Sequence, residues 1–179
     1  DLAKDWNWFS SYVLIDGTQG FSALSSALTG FGSQIKAENG QYSNYNSAFG
    51  EWIGSLTSTS TDKMYKIYAS QAGTVHIEGT AAHEVEITLY PGLNWIAYPI
   101  DKPLNIVDAF RNHTPTNGDQ LRTIDSYVEY TDFGDPEWAD YNGWYETNGD
   151  LNVRTLIPGQ GYIYDSKADV PVTFIFNAD

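Results

Sequence analysis

Glu84-Val85-Glu86-Ile87-Thr88-Leu89-Tyr90-Pro91-Gly92-Leu93-Asn94-Trp95-Ile96-Ala97 decides how the rest of the chain is read. From Glu84 to Tyr90 polar and apolar side chains alternate. Successive side chains of a strand point to opposite faces, so this is the pattern of a half-buried β-strand. Pro91-Gly92 makes a turn, and Leu93 to Tyr98 resumes as a second strand.

The end of that stretch occurs twice. Asp5-Trp6-Asn7-Trp8-Phe9-Ser10 is similar to Gly92-Leu93-Asn94-Trp95-Ile96-Ala97. Working outward, Gly32-Ser33-Gln34-Ile35-Lys36 answers Gly118-Asp119-Gln120-Leu121-Arg122. Tyr42 and Tyr45 answer Tyr127 and Tyr130. Glu51-Trp52-Ile53 answers Gly143-Trp144-Tyr145, and Met64-Tyr65-Lys66-Ile67 answers Gly161-Tyr162-Ile163-Tyr164. Matches in one order, at slowly drifting spacing, predict an internal repeat. The second copy gains residues between Tyr130 and Trp144 and between Trp144 and Tyr162. Repeated positions serve the scaffold, so Trp8, Trp95, Trp52 and Trp144 are assigned mainly to the core. Inserted positions are free for other work.

Most other segments read as short strands rich in Tyr, Val, Ile, Thr and Trp. Gly73 to Gly79 alternates, and Pro171 to Phe176 closes the chain as a strand. Two segments read as helical: Ser22 to Leu28, with Ser22 as N-cap, and Asn105 to Asn112, opened by a capping Asn. The expected fold is all-β with one short helix per repeat. It consists of two pseudo-twofold-related β-units, sandwich-like. The first spans residues 1–80 and the second 84–179. No Pro-, Gly- or Ser-rich linker divides them, so they pack together as one compact module.

Composition narrows the functional classes. Nine basic residues against twenty-three acidic leave a net charge of −14. That charge repels phosphate backbones and anionic bilayers, arguing against nucleic acid or membrane as partner and favouring a soluble monomer. There is no Cys, which excludes disulfides, thiolate metal sites and a Cys nucleophile. No run is apolar enough to span a bilayer as a helix. The start at Asp1 without Met reads as a piece of a longer precursor. Six Trp, thirteen Tyr and eight Phe make 15% aromatics, more than an ordinary core absorbs.

The two repeat starts, together with Pro158-Gly159-Gln160-Gly161-Tyr162-Ile163, resemble a bacterial extracellular tandem β-repeat. That repeat opens on a Gly-Trp-Asn signature and continues through a short helix, a Tyr-bearing strand, a Gly-Trp strand and a Pro-Gly-x-Gly-Tyr strand. The resemblance covers nearly the whole chain. This chain departs from it at Thr61-Asp62-Lys63-Met64-Tyr65, where Pro-Gly-x-Gly-Tyr is expected, and at Leu93, where Trp is usual. The resemblance implies an accessory module like a carbohydrate-binding module. It would belong to a larger multimodular protein, secreted or on the cell surface.

The chemistry-bearing residues point away from catalysis. His76, His83 and His113 lack a Gly-x-Ser-x-Gly elbow, and they are too few and scattered for zinc. Glycosidases need two carboxylates roughly 5 to 10 Å apart. Twenty-three acids guarantee pairs, but repeated β-units this short are an unusual glycosidase. The chain is therefore read as no enzyme.

The best candidate site is the insert at 131–152, which has acids and aromatics and no Lys or Arg. Sugar C–H faces stack on Trp and Tyr, and sugar hydroxyls bond to Asp, Asn and Glu. Trp138 leads because it has no partner in the first repeat. Tyr141, Tyr145, Asp140, Asn142 and Glu137 accompany it. Calcium is the other reading of the same acids, at Asp132, Asp135 and Asp150, because hard cations take carboxylate oxygens from turns. No other cofactor is indicated. The expected function is recognition of a polysaccharide through exposed aromatics, without catalysis. The alternative is a structural or adhesive surface repeat with no small ligand.

Overall fold

The computed structural model describes residues 1–146 and 155–177. The chain is mostly β-sheet with a few short helices. In the first half β1 (Asp5–Phe9) leads to α1 (Gly17–Ala27), β2 (Gly32–Lys36), β3 (Tyr42–Asn46), β4 (Glu51–Gly54) and β5 (Tyr65–Ala69). The second half opens with β6 (Glu84–Leu89), β7 (Gly92–Ala97), β8 (Leu104–Asn105) and α2 (Ile106–Ala109). It continues with β9 (Gln120–Arg122), β10 (Tyr127–Thr131), a 3-10 helix (Pro136–Tyr141) and β11 (Gly143–Glu146). It ends with β12 (Thr155–Leu156), β13 (Gly161–Ser166) and β14 (Val172–Asn177).

One five-stranded antiparallel sheet runs β1-β5-β2-β3-β4, and another runs β11-β10-β9-β13-β7. Two-stranded sheets pair β12 with β8 and β14 with β6. Strand alternation sets the inner faces. On β5, Tyr65, Ile67 and Ala69 turn inward while Lys66 and Tyr68 turn outward. Leu24 and Leu28 join Phe9, Ile35, Leu56 and Ile67 in one core. The other core gathers Val85, Ile87, Leu89, Phe174 and Phe176 of β6 and β14 against Ile96, Leu121, Val128, Tyr162 and Tyr164. Burying each such side chain stabilises by about 1.5–3 kcal/mol, which is why the alternation dictates the face.

The segments that open β1 and β7 share one local device. Asn7 accepts from Ala3 N and donates to the carbonyls of Ala3 and Asp5. Asn94 accepts from Tyr90 N and donates to the carbonyls of Tyr90 and Gly92. Asp5 and Gly92 both take positive φ, +79° and +89°, to close these loops. At the starts of β5 and β13, the Tyr65 hydroxyl accepts from Ser60 N at 2.8 Å and that of Tyr162 from Ile157 N at 2.8 Å. Burial pushes both hydroxyl pKa values up, to about 12.

The halves meet where β1 and β7 end. Bridges link Phe9 with Gln160 and Lys63 with Ile96. Ser10 N donates to the Gly159 carbonyl at 3.0 Å, and Ala97 N to that of Asp62 at 3.1 Å. Gly161 meets Met64 so closely that a Cβ on it would lie 1.8 Å from Met64 Cγ.

Two expectations are corrected. Residues 73–79 form no ladder strand: a single bridge ties Gly73 to Leu2, and Val75 and Ile77 reach the core from extended backbone. The alternation was a burial pattern without pairing. α1 begins at Gly17 rather than after Ser22, with Asp16 at its N-cap position. The Asp16 carboxylate does not cap it but accepts from Thr61 N at 2.7 Å. α2 is one turn, and Asn105 Oδ1 caps it by accepting from Asp108 N at 2.9 Å.

Candidate functional site

β10 and β11 form the outer hairpin of the second sheet, paired from Val128↔Glu146 to Thr131↔Gly143. The loop between them is fixed from within. Asp132 Oδ1 accepts from Gly134 N and from Asn142 Nδ2, each at 2.9 Å. Asn142 Oδ1 accepts from Phe133 N at 3.0 Å. Asp135 caps the 3-10 helix by accepting from Glu137 N at 2.9 Å, with Pro136 at its first position. The Tyr145 hydroxyl donates to the Tyr141 carbonyl.

This loop and the adjoining strand β11 hold four rings outward. Phe133, Trp138, Tyr141 and Tyr145 are 50%, 53%, 58% and 39% exposed. Trp138 stands 5.5 Å from Tyr141 and 6.3 Å from Phe133, at interplanar angles of 48° and 42°. The rings form a knuckle rather than a flat platform, each supported by a neighbour and wetted on one side. Glu137 and Asp140 are exposed beside them, and Asn142 is half-buried at the base. The structure thus brings together all six residues expected to bind sugar. Asp132 and Asp135 commit carboxylate oxygens to backbone amides. Asp150 lies outside the described residues. Among the described residues no group of three or more His, Asp or Glu side chains is placed to hold a metal.

A second surface was missed by reading the sequence alone. Trp52 and Trp144 pack on the two cores as expected, and Trp52 Nε1 donates to the Ser25 carbonyl at 3.0 Å. Trp8 and Trp95 do not. Their neighbours Phe9 and Ile96 take the inward positions, so alternation turns the indoles to the outer face. There the Lys66 ammonium lies 5.0 Å from the Trp8 ring centre and 4.2 Å from that of Trp95. Lys36 lies 4.7 Å over Trp6, which meets Tyr68 edge-on at 5.3 Å. Such contacts are worth about 0.5–2 kcal/mol, depending on desolvation. The signal was present in Trp6-Asn7-Trp8-Phe9: with Phe9 inside, Trp8 had to be outside.

A cleft of about 610 Å³ follows the free edge of β1. Trp6 and Trp8 line it together with Val75, Ile77, Ile124 and Ile157. That volume falls within the roughly 300–1,000 Å³ of ligand pockets.

The three histidines stand apart. His76 is exposed beside Glu78 at 3.3 Å, and His83 is on the surface. His113 is buried, its Nε2 2.8 Å from the Tyr164 hydroxyl, which donates to Asp119 Oδ2 at 2.6 Å. Asp119 also accepts from Thr116 N and Lys167 N. The Tyr164 proton goes to the carboxylate, so the hydroxyl accepts from His113 Nε2–H and fixes that tautomer. Burial pushes the His113 pKa down and that of Tyr164 up, the latter helped by Asp119. This network braces the core. Asp119 is one of its centres.

No family model, curated protein or solved structure matches the chain. Among the described residues no helix is long and apolar enough to cross a membrane. The molecule stands as an all-β protein with exposed aromatic surfaces.

Proposed function

We propose that this chain is a non-catalytic polysaccharide-binding module, built from two copies of one β-unit about a pseudo-twofold axis and carried by a larger secreted or cell-surface protein. Several observations support the two-copy reading. The strand orders correspond element by element, with β1, β5, β2, β3 and β4 answering β7, β13, β9, β10 and β11. The Asn7 and Asn94 clamps match, and the Tyr45–Trp52 and Tyr130–Trp144 ring pairs both stand 5.6 Å apart. The Phe9–Gln160 and Ile96–Lys63 bridges are reciprocal, as a twofold contact requires. The β6–β14 pair facing the second sheet's core supports sandwich-like layering there.

The knuckle at the β10–β11 tip carries the binding reading. A fold that can bury aromatics instead holds Trp138, Tyr141 and Phe133 half-wet in a loop braced by its own hydrogen bonds, with Tyr145 beside them on β11. Clustered exposed rings mark interaction sites. Acids and an amide beside them suit sugar hydroxyls. The knuckle sits in the segment that the first unit lacks.

Affinity electrophoresis against a polysaccharide panel, with calcium and with chelator, tests this. Retardation by at least one polymer, reduced on the order of tenfold in affinity by Trp138→Ala, is the expected result; a stacked ring carries that much. Retardation unchanged in Trp138→Ala moves the site off the knuckle. No retardation by any polymer overturns the reading in favour of a structural or adhesive repeat.

A further inference from the structure

The most unusual charge arrangement in this acidic molecule lies away from the knuckle, on the outer face of the first sheet. Lys36 and Lys66 are direct cross-strand partners of β2 and β5. Like charges directly opposite one another destabilise a sheet. Neither ammonium has a carboxylate within ion-pair distance among the described residues. The positions answering them in the second unit are Arg122 and Ile163. At those two positions only one cation remains, and it has an ion-pair partner, the Asp165 carboxylate, which it shares with Lys167 at 3.0 and 2.9 Å. The first unit thus keeps an uncompensated cation pair in a chain of net charge −14.

The pair is also held in place. Trp6 carries Lys36, and Trp8 and Trp95, from the two halves, clasp Lys66. Both side chains are half-buried, which limits their wandering. Burial, then the neighbouring Lys36 charge, lowers the Lys66 pKa. An anion arriving at the pair would relieve that repulsion. Trp6 and Trp8, the indoles beneath Lys36 and Lys66, also line the cleft along the β1 edge.

We propose that Lys36 and Lys66, set on Trp6, Trp8 and Trp95, form a subsite for the acidic group of an anionic polysaccharide, a uronate carboxylate or a sugar sulfate. Trp6, the most exposed of the three indoles, offers a face to the sugar ring itself. This rests on the polysaccharide reading and names the class of polymer. The chemistry of the pair is shared by carboxylate and sulfate, and the two are separated by experiment. Two acids lie near this cluster: Glu38 accepts from Trp95 N at 2.9 Å and Asp5 from the Tyr68 hydroxyl at 3.2 Å.

Affinity electrophoresis of the whole chain would use polygalacturonate and alginate as carboxylate probes and carrageenan and chondroitin sulfate as sulfate probes. Glucan, mannan and xylan serve as neutral probes. Retardation by one acidic class, weakening with added salt, is expected; exposed charge pairs are screened within about 10 Å at 0.1 M salt. Lys36→Gln/Lys66→Gln should lower that affinity on the order of tenfold or more, as loss of charge-assisted contacts requires. Lys66→Arg should retain it. Near-UV circular dichroism verifies that each variant is folded, and the Arg variant separates lost charge from a lost clasp. Unchanged binding of acidic polymers by the double Gln variant overturns the subsite. So does retardation by neutral polymers alone, which leaves the polysaccharide reading intact. Retardation by nothing overturns both.

Discussion

Asn94 is 2% exposed and joins Tyr90, Gly92 and the Tyr164 carbonyl through one side-chain amide. Asn7 makes its three bonds nearer the surface, where water can replace them. Removing one partner of a buried bond leaves the other unsatisfied, so Asn94→Ala should destabilise by about 2–3 kcal/mol, and Asn7→Ala by about 1 kcal/mol. Urea denaturation of both variants measures the difference; equal losses would sink the argument. His113 carries the pH prediction. Its folded pKa lies below the ordinary 6.5, because burial opposes the charged ring. Between those two values the unfolded chain binds more protons. The His113 contribution is therefore fully present above pH 6.5 and lost as pH falls. Melting temperature followed from about pH 7.5 to 5 should drop less steeply in His113→Phe than in the parent; parallel curves would contradict this.

At the scale of elements, α1 shows how a neighbour overrides a local rule. Gly→Ala inside a helix normally stabilises by roughly 0.5–1 kcal/mol. Gly20 sits in α1, yet a Cβ there would stand 2.2 Å from the Ile15 carbonyl oxygen and 2.4 Å from Thr59 Oγ1. Gly20→Ala should therefore reverse the sign and destabilise by about 2 kcal/mol, measured by thermal melting. The same neighbourhood explains why the start of α1 was misread. Gly17 and Thr59 exchange backbone hydrogen bonds, and Asp16 holds Thr61 N. Those contacts draw the helix back from Ser22, and they depend on a segment far along the chain. Asn105 capping α2 was legible because its partner is three residues away. The strand character of 84–98 was legible for a similar reason, since alternation is local.

For the whole molecule, the junction of the halves is a place of close approach. Gly161 and Met64 occupy matching positions in the proposed units and lie against each other. Near a twofold axis matching residues meet, and two large side chains would overlap. Gly161→Ala should destabilise by about 2–3 kcal/mol, because the junction cannot absorb an added methyl. Met64→Ala should restore part of that loss, giving a non-zero double-mutant coupling in denaturant unfolding. Strict additivity would show that the two positions do not meet.

The all-β class was determined by the sequence, through alternation and turn chemistry, and the clustering of rings and acids in one short insert marked the segment of the β10–β11 loop. Each of those signals is carried by neighbours in the chain. Which side of a strand is inside is not, because the buried face depends on what packs against it. Only the tertiary structure turned Trp8 and Trp95 outward, set Lys36 opposite Lys66 across β2 and β5, and brought indoles from both halves to one ammonium. These are contacts between residues far apart in sequence, made where antiparallel register and the meeting of β1 with the second half of the chain place them.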